Sequence, residues 1–198
     1  MKYTNAWYWD GSWRDICVQG VAIADWQRVV DWLRAGPYPV EFLLGGEPAP
    51  LPADVSPLFA LSNEIGVLMS VDLEGTIANC HFFWHKEIEF DIDPRQVNSE
   101  EREEAIADFM RALGRAVGKD VILTPENWHR ASFLRYDPER DEIIHFADTS
   151  LEPIESRQLS REEAFRLMAK GLGVDENDEA AVIRKLLEKV NKPAYPED

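Results

Sequence analysis

The sequence is short of positive charge. Its 198 residues carry 21 Lys and Arg against 37 Asp and Glu, a formal net charge of −16. Nucleic-acid binding draws on basic side chains that neutralise phosphates, so this balance argues against such a partner and for a basic protein instead. Long apolar runs are also missing. The best candidates are broken by Asp, Glu or Gly within a few positions, short of the roughly 18 to 20 residues that a membrane helix needs, and no membrane contact is expected. There are two cysteines, and Cys17 and Cys80 each sit inside an apolar run. That placement predicts buried free thiols in a reducing compartment rather than a disulfide framework. Met1-Lys2-Tyr3-Thr4-Asn5 leads into aromatic and charged residues without an apolar core or a small-residue cleavage site. No secretory signal is read, and a cytoplasmic location is expected.

What is present is globular material, 45% hydrophobic and 29% charged. The acidity is evenly spread: residues 1–97 hold 14 acids and 6 bases, residues 98–198 hold 23 and 15, so each half carries −8. Arg14 to Val18 reads as a first strand closed by Gly20. Asp25 is placed as the N-cap of a helix whose Trp26, Val29, Val30 and Leu33 share one face, stopped by Gly36-Pro37. Val40 to Leu44 is a short strand, and Ser56-Pro57 opens a short helix through about Glu64. Alternation from Val67 to Asp93 predicts a three-stranded antiparallel meander turning at Glu74-Gly75 and again at Trp84 to Glu87.

In the last of those strands Ile88, Phe90 and Ile92 take one face. Glu87, Glu89, Asp91 and Asp93 take the other, because side chains alternate along a strand. One face is then core and the other a row of carboxylates. Asn98 with Glu101 resembles a capping box for a helix ending at Gly118. A strand at Val121 to Thr124 follows, then a hairpin pairing Phe133 to Tyr136 with Glu142 to Phe146. Residues 151–158 read as a linker to two further helices, one begun by Ser160 and Glu163, the other near 176–191.

The fold class expected is α+β: a mainly antiparallel sheet of about five to seven strands, covered by two principal helices at 25–35 and 98–117. It would fill residues 1–150, with a C-terminal helical hairpin over residues 151–198.

Chemistry-bearing residues are sparse. His81 and His85, near Glu87, Glu89, Asp91 and Asp93, are the one group with a metal-like or acid–base composition. On a continuous strand the two histidines stand roughly 13 Å apart at about 3.3 Å per residue, too far to share an ion. A hairpin through 84–87 would instead set His81 opposite Glu89 or Ile88, which keeps open a metal-dependent hydrolase as the alternative reading. His129 and His145 are isolated, and no Ser or Cys lies in an activating local motif. Gly45-Gly46 and Gly171-Leu172-Gly173 lack the residues that phosphate cradles need.

Trp7, Tyr8, Trp9, Trp13, Trp26 and Trp32 crowd the first 32 residues. Core packing is the first reading, with Trp7 and Trp9 on one strand face, and a stacking platform is the second. No catalytic residue, metal ligand or cofactor is assigned. The candidate partner-binding residues are Glu87, Glu89, Asp91 and Asp93, with the acids at 175–179 as a second surface.

Three stretches carry a resemblance: Trp9-Asp10-Gly11-Ser12-Trp13-Arg14-Asp15-Ile16, Cys80-His81-Phe82-Phe83, and Ile88-Glu89-Phe90-Asp91-Ile92-Asp93-Pro94-Arg95. They resemble a group of uncharacterised bacterial proteins over about residues 7–147. In size, acidity and α+β order the chain is also similar to cytosolic immunity proteins that neutralise toxins. That likeness implies a non-enzymatic acidic module binding a basic partner such as a toxin.

Overall fold

The computed structural model describes residues 1–128, 131–146 and 181. The chain divides into two compact units, Met1–Thr149 and Ser150–Asp198. The expected linker, the helical hairpin apart from the helical Ala181, the acids at 175–179 and His129 lie outside the described residues.

The first unit is an α+β fold built on one sheet. Its strands are β1 (Arg14–Gln19), β2 (Val40–Leu44), β3 (Glu47–Pro48), β4 (Val67–Leu73), β5 (Thr76–His81), β6 (Glu87–Ile92), β7 (Val121–Pro125), β8 (Leu134–Asp137) and β9 (Glu142–His145). They lie in the order β3-β2-β4-β5-β6-β1-β7-β8-β9, every neighbouring pair antiparallel. The described sheet thus has nine strands, more than the five to seven expected. The extra edge element β3 is two residues that fold back on β2. The predicted meander is present as β4-β5-β6, and Glu74 and Gly75 take φ of 54° and 88° at its first turn. Two successive positive-φ residues match the right-handed twist of a hairpin, and glycine adopts the second without penalty.

The helices are α1 (Ile23–Ala35), α2 (Leu58–Leu61) and α3 (Glu100–Val117). Among the described residues no helix is long and apolar enough to cross a membrane. α1 buries Trp26, Val29, Val30 and Leu33, the predicted stripe, but it begins earlier than expected. Ala22 is its N-cap, and Asp25 sits in the first turn, where its carboxylate accepts the Ala22 N–H at 2.9 Å. A carboxylate reaching back from this position satisfies an orphan donor just as an N-cap side chain does, so both placements predict an acid here. α3, by contrast, starts one residue later than expected. Ser99 caps it, accepting the Arg102 N–H at 3.3 Å, and Gly118 ends it in the left-handed region as expected.

α1 and α3 pack on one face of the sheet, where Ile16, Val18, Ala78, Cys80, Ile88, Phe90 and Ile92 are buried. The Phe90 and Phe109 rings meet edge to face at 5.1 Å. Gly114 marks the tightest point of the helix layer. A Cβ there would fall 2.3 Å from Tyr136 Cδ1, so the ring occupies the space that a side chain would need.

The N-terminal aromatics are not on a strand. Thr4 to Trp7 form a turn, and the chain is extended into β1 only from Arg14. Trp7 is buried while Trp9 is 38% exposed, which separates the pair expected on one face. Two buried charges hold this segment instead. Glu103 on α3 accepts the backbone N–H groups of Lys2 and Tyr3 and the indole N–H of Trp7, the latter two at 2.9 Å. Arg14, 1% exposed, donates to the carbonyls of Ala6, Tyr8, Ser12 and Trp13 and to the Asp10 carboxylate. A loop without regular structure thereby gains partners for carbonyls that no ladder serves.

Candidate functional site

The sheet face opposite α1 and α3 collects the acidic side chains, and it does so because of where β1 lies. β1 inserts between β6 and β7, pairing Asp15 with Asp91, Cys17 with Glu89 and Gln19 with Glu87 on one side, and Asp15 with Thr124 on the other. Since paired residues in adjacent antiparallel strands project to the same side, Asp15 and Cys17 join Glu87, Glu89 and Asp91 on one surface. Asn79 on β5 pairs with Asp91 and extends that surface toward His81, two residues further along the same strand face.

Glu87, Glu89 and Asp91 are half-buried, placed as the alternation predicts. Asp93 is set apart from them. It lies beyond the strand as the cap of a single 3-10 turn over Pro94–Gln96, is 9% exposed, and is clasped by Arg95 at 2.8 Å. The Arg95 guanidinium holds its carboxyl below the usual range. Asp15 and Cys17, absent from the sequence-derived set, are buried at the centre of the face. Asp15 accepts the Asn127 N–H at 2.7 Å, and the Cys17 thiol lies 4.0 Å from Glu89 Oε2.

The electrostatics follow from this crowding. Partial burial first, then repulsion from Asp15, Asp91, Glu87 and Glu126, pushes Glu89 up from 4.5 to about 7. Asp91 rises from 3.8 to about 6, by partial burial and then by Glu126. Burial and the surrounding carboxylates push the Cys17 thiol strongly upward, so it is held protonated rather than as a nucleophilic thiolate. Glu89 and Asp91 are the only described carboxyls displaced upward in this way. Several acids elsewhere, Asp10, Asp31 and Asp141 among them, are instead held low by hydrogen bonds or cations.

His81 is half-buried with its ring stacked on Phe83 at 4.9 Å and 6°, and burial lowers its pKa. His85 sits in the β5–β6 loop against Phe59, and His145 bonds Asn5 at 3.0 Å. Among the described residues the group with ligand-like spacing is Cys17, Glu87 and Glu89, whose donor atoms lie within 4.8 Å of one another. His81 is not part of it.

No protein-family model, curated protein or solved structure matches the chain.

Proposed function

We propose that the chain is a non-enzymatic, acidic protein-binding module, an immunity-type inhibitor of a basic toxin, and that Glu87, Glu89 and Asp91 with Glu126 form the contact surface, the buried Asp15 beneath them adding to its negative field. The observation that carries this reading is the concentration of like charge on a single sheet face. Glu89 and Asp91 are raised by burial and by neighbouring carboxylates, and among the described residues no cation is paired to either. A fold gains nothing from such repulsion by itself. A cationic partner relieves it, and the relief adds to the attraction that speeds encounter. Asp93, clasped by Arg95, stands outside the surface.

The alternative is a metal-dependent hydrolase. It is favoured by the spacing of Cys17, Glu87 and Glu89 rather than by His81. The raised thiol counts against it, since an ion there must first displace the proton from Cys17.

The test is capture of basic proteins from the native cell by the immobilised chain at about 0.15 M ionic strength. A stoichiometric basic partner is expected on the unaltered chain and lost from the Glu87→Gln, Glu89→Gln, Asp91→Asn triple variant. Equal retention by both forms, or none by either, rejects the reading.

A further inference from the structure

The same face has an aromatic margin. Phe83 is the most exposed large hydrophobic residue among those described, at 72%, and Trp84 beside it is 36% exposed. An exposed aromatic on a mobile loop would carry little meaning, but this loop is anchored at several points. Phe82 is buried against Trp26, Phe59 and Phe42. The Trp26 indole donates to the His85 carbonyl at 3.0 Å, the Ser62 hydroxyl to the Phe82 carbonyl at 2.8 Å, and the Val21 N–H to the Lys86 carbonyl at 3.1 Å. The Phe83 ring itself lies flat on His81, whose strand position is on the carboxylate face. A fixed ring with one side covered by protein and the other open is a stacking surface prepared in advance, so little ordering entropy opposes its use.

We propose that Phe83, stacked on His81 and followed by Glu87 and Glu89, is the docking shelf for an arginine-bearing basic segment of the partner protein. This rests on the acidic-face reading above and specifies its chemistry. The guanidinium stacks on the open face of the ring while its N–H groups donate to the neighbouring carboxylates. Arginine suits this better than lysine because its planar, weakly hydrated cation stacks and donates at once. The net charge of −16 favours a basic segment over an anionic lipid surface or a second copy of this chain as the occupant.

The experiment titrates the full chain with hexa-arginine and with hexa-lysine at about 0.15 M ionic strength. Hexa-arginine is expected to bind about threefold to tenfold more tightly. Phe83→Ala is expected to remove that difference while leaving hexa-lysine affinity in place. Glu87→Gln with Glu89→Gln should weaken both peptides, and Glu100→Gln with Glu101→Gln on α3 should leave the arginine preference intact. Equal affinity for the two peptides, or a preference that survives Phe83→Ala, overturns the shelf alone. Failure of both peptides to bind, or indifference to the Glu87 and Glu89 changes, overturns the acidic surface with it. Sedimentation showing self-association that Phe83→Ala abolishes would assign the shelf to a second copy of the chain and also overturn the proposal.

Discussion

Arg14→Met is expected to destabilise the protein by about 3–5 kcal/mol, the cost characteristic of breaking a buried charged network from one side. The guanidinium is 1% exposed and ties together the carbonyls of Ala6, Tyr8, Ser12 and Trp13 and the Asp10 carboxylate. Methionine fills much of the volume and still covers Phe133, on which the guanidinium now stacks at 5.2 Å. It offers none of the hydrogen bonds, and leaves the buried Ala6 carbonyl to find a new donor. Chemical denaturation should therefore show a lower midpoint. Amide exchange should be fastest in residues 6–13, before the sheet opens.

The second large effect is at Glu103, which is 3% exposed and accepts the N–H groups of Lys2 and Tyr3 and the Trp7 indole. Glu103→Ala strips three donors of their acceptor at once. With each unsatisfied buried group costing about 1–3 kcal/mol, a loss of about 3 kcal/mol is expected, part of it recovered by water as the segment loosens. Trp7 fluorescence should shift to the red at denaturant concentrations below global unfolding. An unchanged emission wavelength with full stability would show that Glu103 does not hold the segment.

Both charges illustrate what was legible in the chain and what was not. Periodicity exposed the helices because Trp26, Val29, Val30 and Leu33 repeat at helical spacing, and it exposed β6 because Ile88 to Asp91 alternate without a fault. Those are local signals, carried by consecutive residues. Glu103 acts on residues up to 101 positions away, and nothing near it in sequence reports the partner. The hydrogen-bond partners of Arg14 are close in sequence, but they are mostly carbonyls of a segment with no periodicity to announce them. The candidate surface divides in the same way. Glu87, Glu89 and Asp91 follow from alternation alone. Asp15 and Cys17 reach that face only because β1 inserts between β6 and β7, a non-local pairing that alternation within β1 does not encode. One signal was available: Asp15 adjoins the apolar run Ile16-Cys17-Val18 within β1, and an acid in a central strand needs a reason. Asp93 shows the converse. Its place before Pro94 and Arg95 fits a capping residue, and that local role removes it from the row.

The central claim is that the carboxylate face works against the fold's own stability, and Glu89 is its most displaced member. Its folded-state pKa of about 7 stands above the ordinary 4.5. The folded protein therefore binds a proton that the unfolded chain releases. The associated stability is fully present below about pH 4.5 and is lost as pH rises through about 7. Glutamine at this position keeps the shape and carries no charge at any pH. The decisive measurement is unfolding free energy against pH for the unaltered protein and for Glu89→Gln. The two curves should run parallel below about pH 4.5, separate up to about pH 7, and stay apart by about 1 kcal/mol above it, with the variant the more stable, after allowing for screening at a half-buried site. A gap that is constant with pH, or one in which the unaltered protein gains on the variant as pH rises, would contradict the account.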